Sequence, residues 1–412
     1  MLRLIPIIAF LLGAHAAEAK VIHVAAGSGA GNGSAARPFS TIGQALMSPY
    51  AAGDTILVHP GTYPERLFIW KGGQAGRHVI LRSMRGSGAR IRPPHGTYST
   101  VNIRANYVTV QGFDIVGGSG HGIDGERVHH VHVLGNTVHD SGGSGISFYL
   151  SEFQLIEGNR TFRNAATNGY QTSGISVASN IDLTGDRRDR GFRTVIRRNI
   201  SHDNVIRSVP GPHTDGNGII IDWLRNLGTG YAPYAHPALI EDNLVFRNGG
   251  KGIQVFQSDD VTVRNNTAWH NNLDPLNPGT ERGEITITES AAGAVVQNNI
   301  AVADPGANAD NTAFSLAHPS VRASNNLGYG GSAPVILWNG AAFDAEDGNI
   351  SGVDPMFVQP GQARFALRPG SVAIDAGTGG RPAGTRDLAG NRRVVGVIDM
   401  GAFEQDAGLT RP

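Results

Sequence analysis

The sequence predicts an all-β protein that folds as a single-stranded right-handed parallel β-helix, a solenoid with an N-terminal and a C-terminal cap. Three observations support this prediction: asparagine recurs in matching contexts, a short alternating strand precedes it, and a glycine with β-branched residues follows it. The recurrence corresponds to a rung of roughly two dozen residues that carries loops of variable length. The recurring asparagines are Asn136, Asn159, Asn199, Asn243, Asn266, Asn299 and Asn326.

A second asparagine strengthens the repeat. It stands five positions after four of the recurring ones, at Asn164, Asn204, Asn248 and Asn271. Asparagine tolerates the left-handed backbone of tight turns, and stacked amides can hydrogen-bond from rung to rung. We therefore expect these asparagines to adopt that backbone and to stack. A β-sandwich, the alternative all-β architecture, gives no reason for such a pair.

The beginning of the chain indicates export. Residues 1–19 combine Arg3, an apolar run and a small-residue ending, a pattern typical of a secretory signal peptide cut before Lys20. The apolar run is too short to span a membrane, so we expect a secreted or periplasmic protein without membrane insertion. The chain has no Cys and a formal net charge of +0, which excludes disulfides and argues against general nucleic-acid binding. We expect a monomer.

Three further regions follow the signal peptide. We assign residues 20–105 to the N-terminal cap and first rungs, 106–340 to the central β-helix, and 341–412 to the C-terminal cap. In the first region, GDTI at 53–56 and GTY at 61–63 resemble the opening of pectin-lyase-like parallel β-helix proteins. In the last region, AIDAG at 373–377 and GAFE at 401–404 resemble the C-terminal cap of many secreted bacterial β-helix proteins. These resemblances imply architecture and say little about chemistry.

A column of residues stands just before the glycine of each Gly-apolar strand. Adjacent rungs lie about 4.8 Å apart, so residues distant in sequence meet on one face. Small polar residues occupy the early rungs of this column, and two basic residues occupy the later ones. The column contains His121, Ser144, Ser173, Asn217, Lys251 and Arg282.

Two segments beside this column resemble a known enzyme family. The sequence TDGNGIIID at 214–222 and the sequence NGGKG at 248–252 are similar, in order and approximate separation, to motifs of polysaccharide lyase family 9. Enzymes of that family, of the pectate lyase type, cleave uronic-acid polysaccharides by β-elimination. The resemblance implies an acidic polysaccharide as substrate, Lys251 as the Brønsted base and Asp215 as a Ca²⁺ ligand.

The chemistry of β-elimination explains why a cation is needed. The proton that is removed lies α to a carboxylate, and its acidity rises when a cation neutralises the carboxylate's charge. Ca²⁺ held by several hard oxygen ligands supplies this neutralisation. We assign Asp215, Asp222 and Glu281 as the ligands.

The base must be unprotonated, which requires a lysine pKa lowered from about 10.4 towards 7 to 8. Arg282 next to Lys251 favours this shift, or it binds a substrate carboxylate in a bidentate grip. We assign further substrate contacts to His213, Asn217 and Gln254.

Other interpretations stay open. Lys251 can be a solvated turn lysine and Asp215 an ordinary turn aspartate, in which case the protein is a non-catalytic glycan-binding or surface protein. A uronan epimerase or a glycoside hydrolase is a further alternative, and Asp259 with Asp260 is similar to the paired acids of β-helix glycoside hydrolases. Two insertions, at 179–192 and 224–237, are candidates for the walls of a substrate groove.

Overall fold

The computed structural model describes residues 18–84, 86, 88–168, 172–207, 209–210, 213–277, 282–288, 290–306, 310–379 and 384–405. Within these residues the chain forms three long parallel sheets of 11, 10 and 11 strands. Successive strands of one sheet come from successive rungs, so the chain winds as the right-handed parallel β-helix that the sequence predicts. Residues 1–17 of the predicted signal peptide lie outside the described residues.

Each sheet runs the length of the solenoid. Sheet A contains β1 (Val21–Val24), β2 (Thr55–Val58), β5 (Val79–Ser83), β8 (Val108–Gln111), β11 (His129–Leu134), β14 (Glu152–Glu157), β17 (Thr194–Arg197), β20 (Ala238–Glu241), β23 (Val261–Arg264), β26 (Val295–Gln297) and β29 (Arg322–Ser324). Sheet B contains β3 (Gly61–Tyr63), β6 (Ala89–Ile91), β9 (Asp114–Val116), β12 (Thr137–His139), β15 (Arg160–Phe162), β18 (Ile200–His202), β21 (Leu244–Phe246), β24 (Thr267–Trp269), β27 (Ile300–Ala303), β30 (Leu327–Gly330) and β32 (Ile350–Ser351). Sheet C contains β4 (Leu67–Ile69), β7 (Val101–Ile103), β10 (Ile123–Glu126), β13 (Ile146–Tyr149), β16 (Ser173–Ala178), β19 (Asn217–Asp222), β22 (Ile253–Phe256), β25 (Ile285–Ile287), β28 (Thr312–Leu316) and β31 (Ala333–Leu337).

Alternation along each strand builds the core. In sheet C six successive members of the inward column are isoleucines, and each of them is 0% exposed. Such stacking buries a continuous apolar interior that no single rung could form alone. The stacked residues are Ile123, Ile146, Ile175, Ile219, Ile253 and Ile285.

Both ends of the described chain leave the regular winding. Helix α1 (Ile42–Met47) starts at a capping box between Thr41 and Gln44, and it packs against β1, β2 and β4. Near the other end, β33 (Phe357–Gln359) and β34 (Arg364–Leu367) pair antiparallel, and short 3-10 turns cover Ala345–Asp347 and Pro360–Gln362. None of the helices in the described part of the chain is long and apolar enough to cross a membrane.

The recurring asparagines form a ladder. From Asn136 to Asn349, each side-chain Nδ2 donates to the Oδ1 of the next rung at 2.9–3.1 Å. The second set forms a parallel ladder from Asn164 to Asn271, with links of 2.7–3.0 Å. The predicted stacking is confirmed.

The predicted backbone of these asparagines is wrong. The left-handed residue is the one immediately before the ladder asparagine: Gly135 at φ +59°, Gly158 at φ +67° and Arg198 at φ +52°. This preceding residue turns the chain, and the asparagine is left with its side chain pointing along the stack. The ladder therefore requires the amide, and the bend is made by its neighbour.

Loss of one ladder amide should be costly. Replacing Asn204 by Ala removes the acceptor for the Asn164 amide and the donor to Asn248, both buried. We expect a loss of about 1–3 kcal/mol in the free energy of unfolding, because buried amides are left unsatisfied. Urea denaturation measures it. The exposed Asn32→Ala serves as control and should stay within about 0.5 kcal/mol of the parent protein.

Candidate functional site

The column predicted before each Gly-apolar strand exists in register through Lys251. Its members stand two residues before the stacked isoleucines of sheet C, and Ser173 pairs with Asn217. Side chains of the column accept hydrogen bonds from the backbone N–H groups of the next rung. His121 Nδ1 accepts from Ser144 at 3.0 Å, and Asn217 Oδ1 accepts from Lys251 at 2.8 Å. The next member is Gly283, because Ile253 pairs with Ile285, so Arg282 lies one position outside the column.

Four predicted residues converge at the beginning of β19 and β22. We call Asp215, Asn217, Lys251 and Gln254 the Asn217 cluster. The Asn217 Nδ2 donates to Asp215 Oδ1 at 3.1 Å and to Gln254 Oε1 at 2.9 Å. Gly250 allows the close approach of the two rungs, since a Cβ there would lie 2.3 Å from Asn217 Oδ1. Asn217 is 0% exposed, so it is a buried residue that positions its neighbours through hydrogen bonds.

Lys251 is 5% exposed, Asp215 6% and Gln254 7%. The Asn217 side chain joins these residues: its Nδ2 donates to the Asp215 and Gln254 side chains, and its Oδ1 accepts from the Lys251 backbone N–H. Gln254 belongs to the outward column of sheet C, in register with Ile220 and Thr286.

Arg282 reaches the Asn217 cluster through Asn277. The Arg282 guanidinium donates to the backbone oxygen of Asn277, and Asn277 Nδ2 donates to the backbone oxygen of Asp215 at 3.1 Å. Asn277 is 3% exposed and was not among the predicted site residues. Only the folded loop after β24 brings it here, since nothing in its local sequence indicates such a role.

His213 is buried and joins two segments of the protein through its ring nitrogens. It is 2% exposed, its Nδ1 lies 2.5 Å from Asp274 Oδ2, and its Nε2 lies 2.9 Å from the backbone oxygen of Val209. Burial disfavours the charged imidazole, but the bonds to Val209 and Asp274 outweigh it and raise the pKa of His213. Both ring nitrogens are thus engaged inside the protein, and the predicted substrate contact of His213 has no part in the function proposed below.

Asp222 lies at the far end of β19, on the outer face of sheet C. It is 7% exposed, and its Oδ1 has no hydrogen-bond partner among the described residues. Burial, with the negative charge of Asp215 as a second cause, raises the pKa of Asp222 to about 8. This carboxyl is therefore mostly protonated at neutral pH, and a metal ion would first have to displace the proton.

The described residues do not complete a calcium site. No three His, Asp or Glu side chains among them converge as a metal-binding group. Asp215 already accepts from Asn217 and Thr214, and the third predicted ligand, Glu281, lies outside the described residues. Ca²⁺ usually takes six to eight oxygen ligands. The carboxylate groups of the described residues do not supply that number at one place, and no step below is assigned to the ion.

A groove with a volume of about 510 Å³ runs along the outer face of sheet C from β4 to β19. Its floor is the outward column Asn102, Asp124, Ser147 and Ser176, in register on consecutive strands. Beyond the lining residues, the same column continues through Ile220 to Gln254, a member of the Asn217 cluster.

The two insertions border this groove. Ser179, the first residue of one, lines it, as does Trp223, which precedes the other. The insertions are tied to each other by Asn226, whose Nδ2 donates to the backbone oxygen of Asn180 at 2.9 Å. The first insertion therefore begins at the groove, and the second begins directly after a residue that lines it.

The second asparagine ladder ends at a carboxyl group beside the Asn217 cluster. Glu284 accepts from the Asn271 backbone N–H at 2.9 Å and from Asn271 Nδ2 at 2.5 Å. It is 0% exposed, and burial raises its pKa to about 8 despite these donors. Glutamate here takes the place of an asparagine in the ladder.

This raised pKa makes stability depend on pH. Because the folded pKa exceeds the ordinary value of 4.5, the unfolded chain ionises first, and stability is lost as pH rises from about 4.5 to about 8. Glu284→Gln should reduce this pH-dependent loss in the free energy of unfolding, by an amount on the order of a few kcal/mol. Melting temperatures across this pH range test it, with the exposed Glu346→Gln as control. An unchanged pH dependence in Glu284→Gln would contradict the assignment.

Comparisons with known proteins agree with the architecture. A family model described as a right handed beta helix region matches residues 193–326. A cell surface glycoprotein of Methanothermus fervidus is 31% identical over 114 residues, which are 27% of this chain and 18% of that protein. The aligned part of the chain thus spans less than a fifth of that relative's length.

Solved structures resemble the chain over most of its length. The alignment with the crystal structure of pectate lyase Pel9A covers 94% of this chain and 96% of the Pel9A chain, at 17% identity and a TM-score of 0.56. A rhamnogalacturonan lyase covers 82% of this chain and 90% of its own, at 14% identity and a TM-score of 0.48. At these identities the likeness concerns the fold. The chain is a right-handed parallel β-helix.

Proposed function

We propose that the protein is an exported polysaccharide lyase that cleaves a glycan containing uronic acid by β-elimination, with Lys251 as the base. One observation carries the proposal: Lys251 lies in the Asn217 cluster, on the strand rung that adjoins a groove along sheet C. Likeness in fold to pectate lyase Pel9A supports it, and the similarity to a cell surface glycoprotein favours action outside the cell.

The reaction can be written from the chain's own residues. Lys251 takes the proton from the carbon α to the substrate carboxylate, and a double bond forms between this carbon and the next. The bond from that next carbon to the glycosidic oxygen breaks, and the leaving oxygen takes a proton from water. Arg282 balances the negative charge that grows on the carboxylate. Asn217 holds Asp215 and Gln254 in place beside the base.

A second candidate function is glycan binding without catalysis. Exposed aromatic rings border the groove, with Tyr98 56% exposed and Tyr149 42% exposed. Such rings pack on sugar faces in binding proteins as well as in enzymes. This function requires the groove and does not require Lys251.

A single screen separates these functions. Pectate, alginate and rhamnogalacturonan are incubated with the protein, with added Ca²⁺ and with a chelator. A lyase generates an unsaturated uronate, which is followed by its ultraviolet absorbance. Absorbance growth with at least one uronan supports the proposal. Retention of a glycan on immobilised protein, with no absorbance growth on any of them, would favour the binding function instead.

A further inference from the structure

The groove along β4–β19 has features that its neighbour, the Asn217 cluster, lacks. Aromatic rings line it: Phe68 is a lining residue, and Trp70, which is not itself in the lining, stacks on Phe68 with ring centroids 5.5 Å apart and planes within 3°. Tyr98 and Tyr149 stand further along. Trp70 is 67% exposed, so its ring is open to solvent beside Phe68.

The charges of the groove cancel. Arg66 and Arg104 line it, but so do Asp124 and Glu126. Arg104 is fully occupied, with its Nη2 2.6 Å from Asp124 Oδ2 and 3.7 Å from Glu126 Oε2. His121 and Asp222 also line the groove, so its lining holds no excess of basic over acidic side chains.

Charge balance decides the class of ligand. A homopolymer of uronic acid carries one negative charge on every sugar, and a groove for it would need unpaired cations along its floor. A neutral sugar needs aromatic faces for its C–H groups and polar side chains for its hydroxyls. The polar side chains on the floor of the groove are Asn102, Ser147 and Ser176.

We propose that this groove binds a run of uncharged sugar residues, so that the substrate is a heteropolysaccharide whose neutral part lies along β4–β19 while a uronic acid lies at the Asn217 cluster. The inference rests on the proposed function for the position of the uronate. The binding of neutral sugars by the groove stands independently of catalysis.

Affinity electrophoresis of the full chain tests the inference. Native gels contain xylan, galactan, glucomannan or a mixed gum with neutral side chains in one set, and polygalacturonate or alginate in the other. We expect retardation by at least one polymer of the first set, little changed by added salt, since stacking is not screened. Stronger retardation by the homopolyuronates than by every polymer of the first set would overturn the inference.

Variants locate the binding. Trp70→Ala and Tyr149→Ala should each weaken retardation by the bound polymer by roughly tenfold or more. Trp338→Ala is the matched control: this tryptophan is 46% exposed, follows β31 at the other end of the same sheet, and should leave retardation unchanged. Unchanged retardation in both groove variants would refute the groove as the binding surface.

A charge variant separates this inference from the lyase proposal. Glu126→Gln, on a side chain 44% exposed, leaves Arg104 with one carboxylate fewer and should increase retardation by polygalacturonate. If neutral polymers are bound but no uronan is eliminated, the lyase proposal fails and the groove assignment stands. If a uronan is eliminated but no neutral polymer is bound, the groove assignment fails and the lyase proposal stands.

Discussion

Glu152→Ala is expected to destabilise the protein by about 3–5 kcal/mol, the largest loss of stability that we predict. The Glu152 and Arg193 side chains are both 0% exposed, and Arg193 Nη1 lies 2.9 Å from Glu152 Oε2. Without the carboxylate, a guanidinium that also lies over the Phe153 ring at 4.6 Å is buried with its main counter-charge gone. Chemical denaturation of the variant measures the loss.

The same substitution should loosen the two insertions. Glu152 Oε1 accepts from the backbone N–H of Thr184 at 2.6 Å, and Tyr234 donates to Oε2 at 3.3 Å. Thr184 and Tyr234 lie in the two insertions, so one carboxylate fixes both. Limited proteolysis should therefore cut the variant first within 179–192 or 224–237.

A surface arginine of the first insertion provides the control. Arg187 is 78% exposed and lies 3.5 Å from Asp182. Exposed ion pairs contribute about 0–1 kcal/mol, so Arg187→Ala should stay close to the parent protein. Similar losses in the Glu152 and Arg187 variants would show that the buried pair is not the anchor of the insertions.

Sequence reasoning recovered the fold because the repeat has a direct physical cause. Each ladder asparagine satisfies the next one, so the residue type must recur at every rung. The same reasoning failed at Arg282, where the ladder position after Asn271 is occupied by Glu284. A count of asparagines misses that rung, and the register predicted there is off by one residue.

The aromatic lining of the groove was missed for a different reason. Phe68, Tyr98 and Tyr149 come from three separate rungs, and only the stacking of strands brings them to one face. The available signal was alternation: Tyr149 follows Phe148 in a strand whose alternate residues are buried. Glu152 offered a similar signal, since it is in phase with the buried Ile156.

Lys251→Ala is expected to lower the rate of elimination by about 10²–10⁴-fold, the usual contribution of a general base. The substitution leaves the backbone N–H that donates to Asn217 Oδ1, so the Asn217 cluster should keep its geometry. Initial rates of unsaturated uronate formation, on whichever uronan the parent protein cleaves, measure the effect. The melting temperature of the variant, measured in parallel, separates a loss of catalysis from a loss of stability.

Lys251→Arg is the matched variant that distinguishes a base from a positive charge. Arginine keeps the charge but is not deprotonated in proteins, so it cannot accept the proton. If Lys251 is the base, the arginine variant is as inactive as the alanine variant, and the rise of rate with pH seen in the parent protein disappears. If Lys251 only attracts the substrate carboxylate, the arginine variant retains most of the rate with a changed KM. Elimination that persists in Lys251→Ala would remove Lys251 from the mechanism and leave the Asn217 cluster as a structural feature of the solenoid.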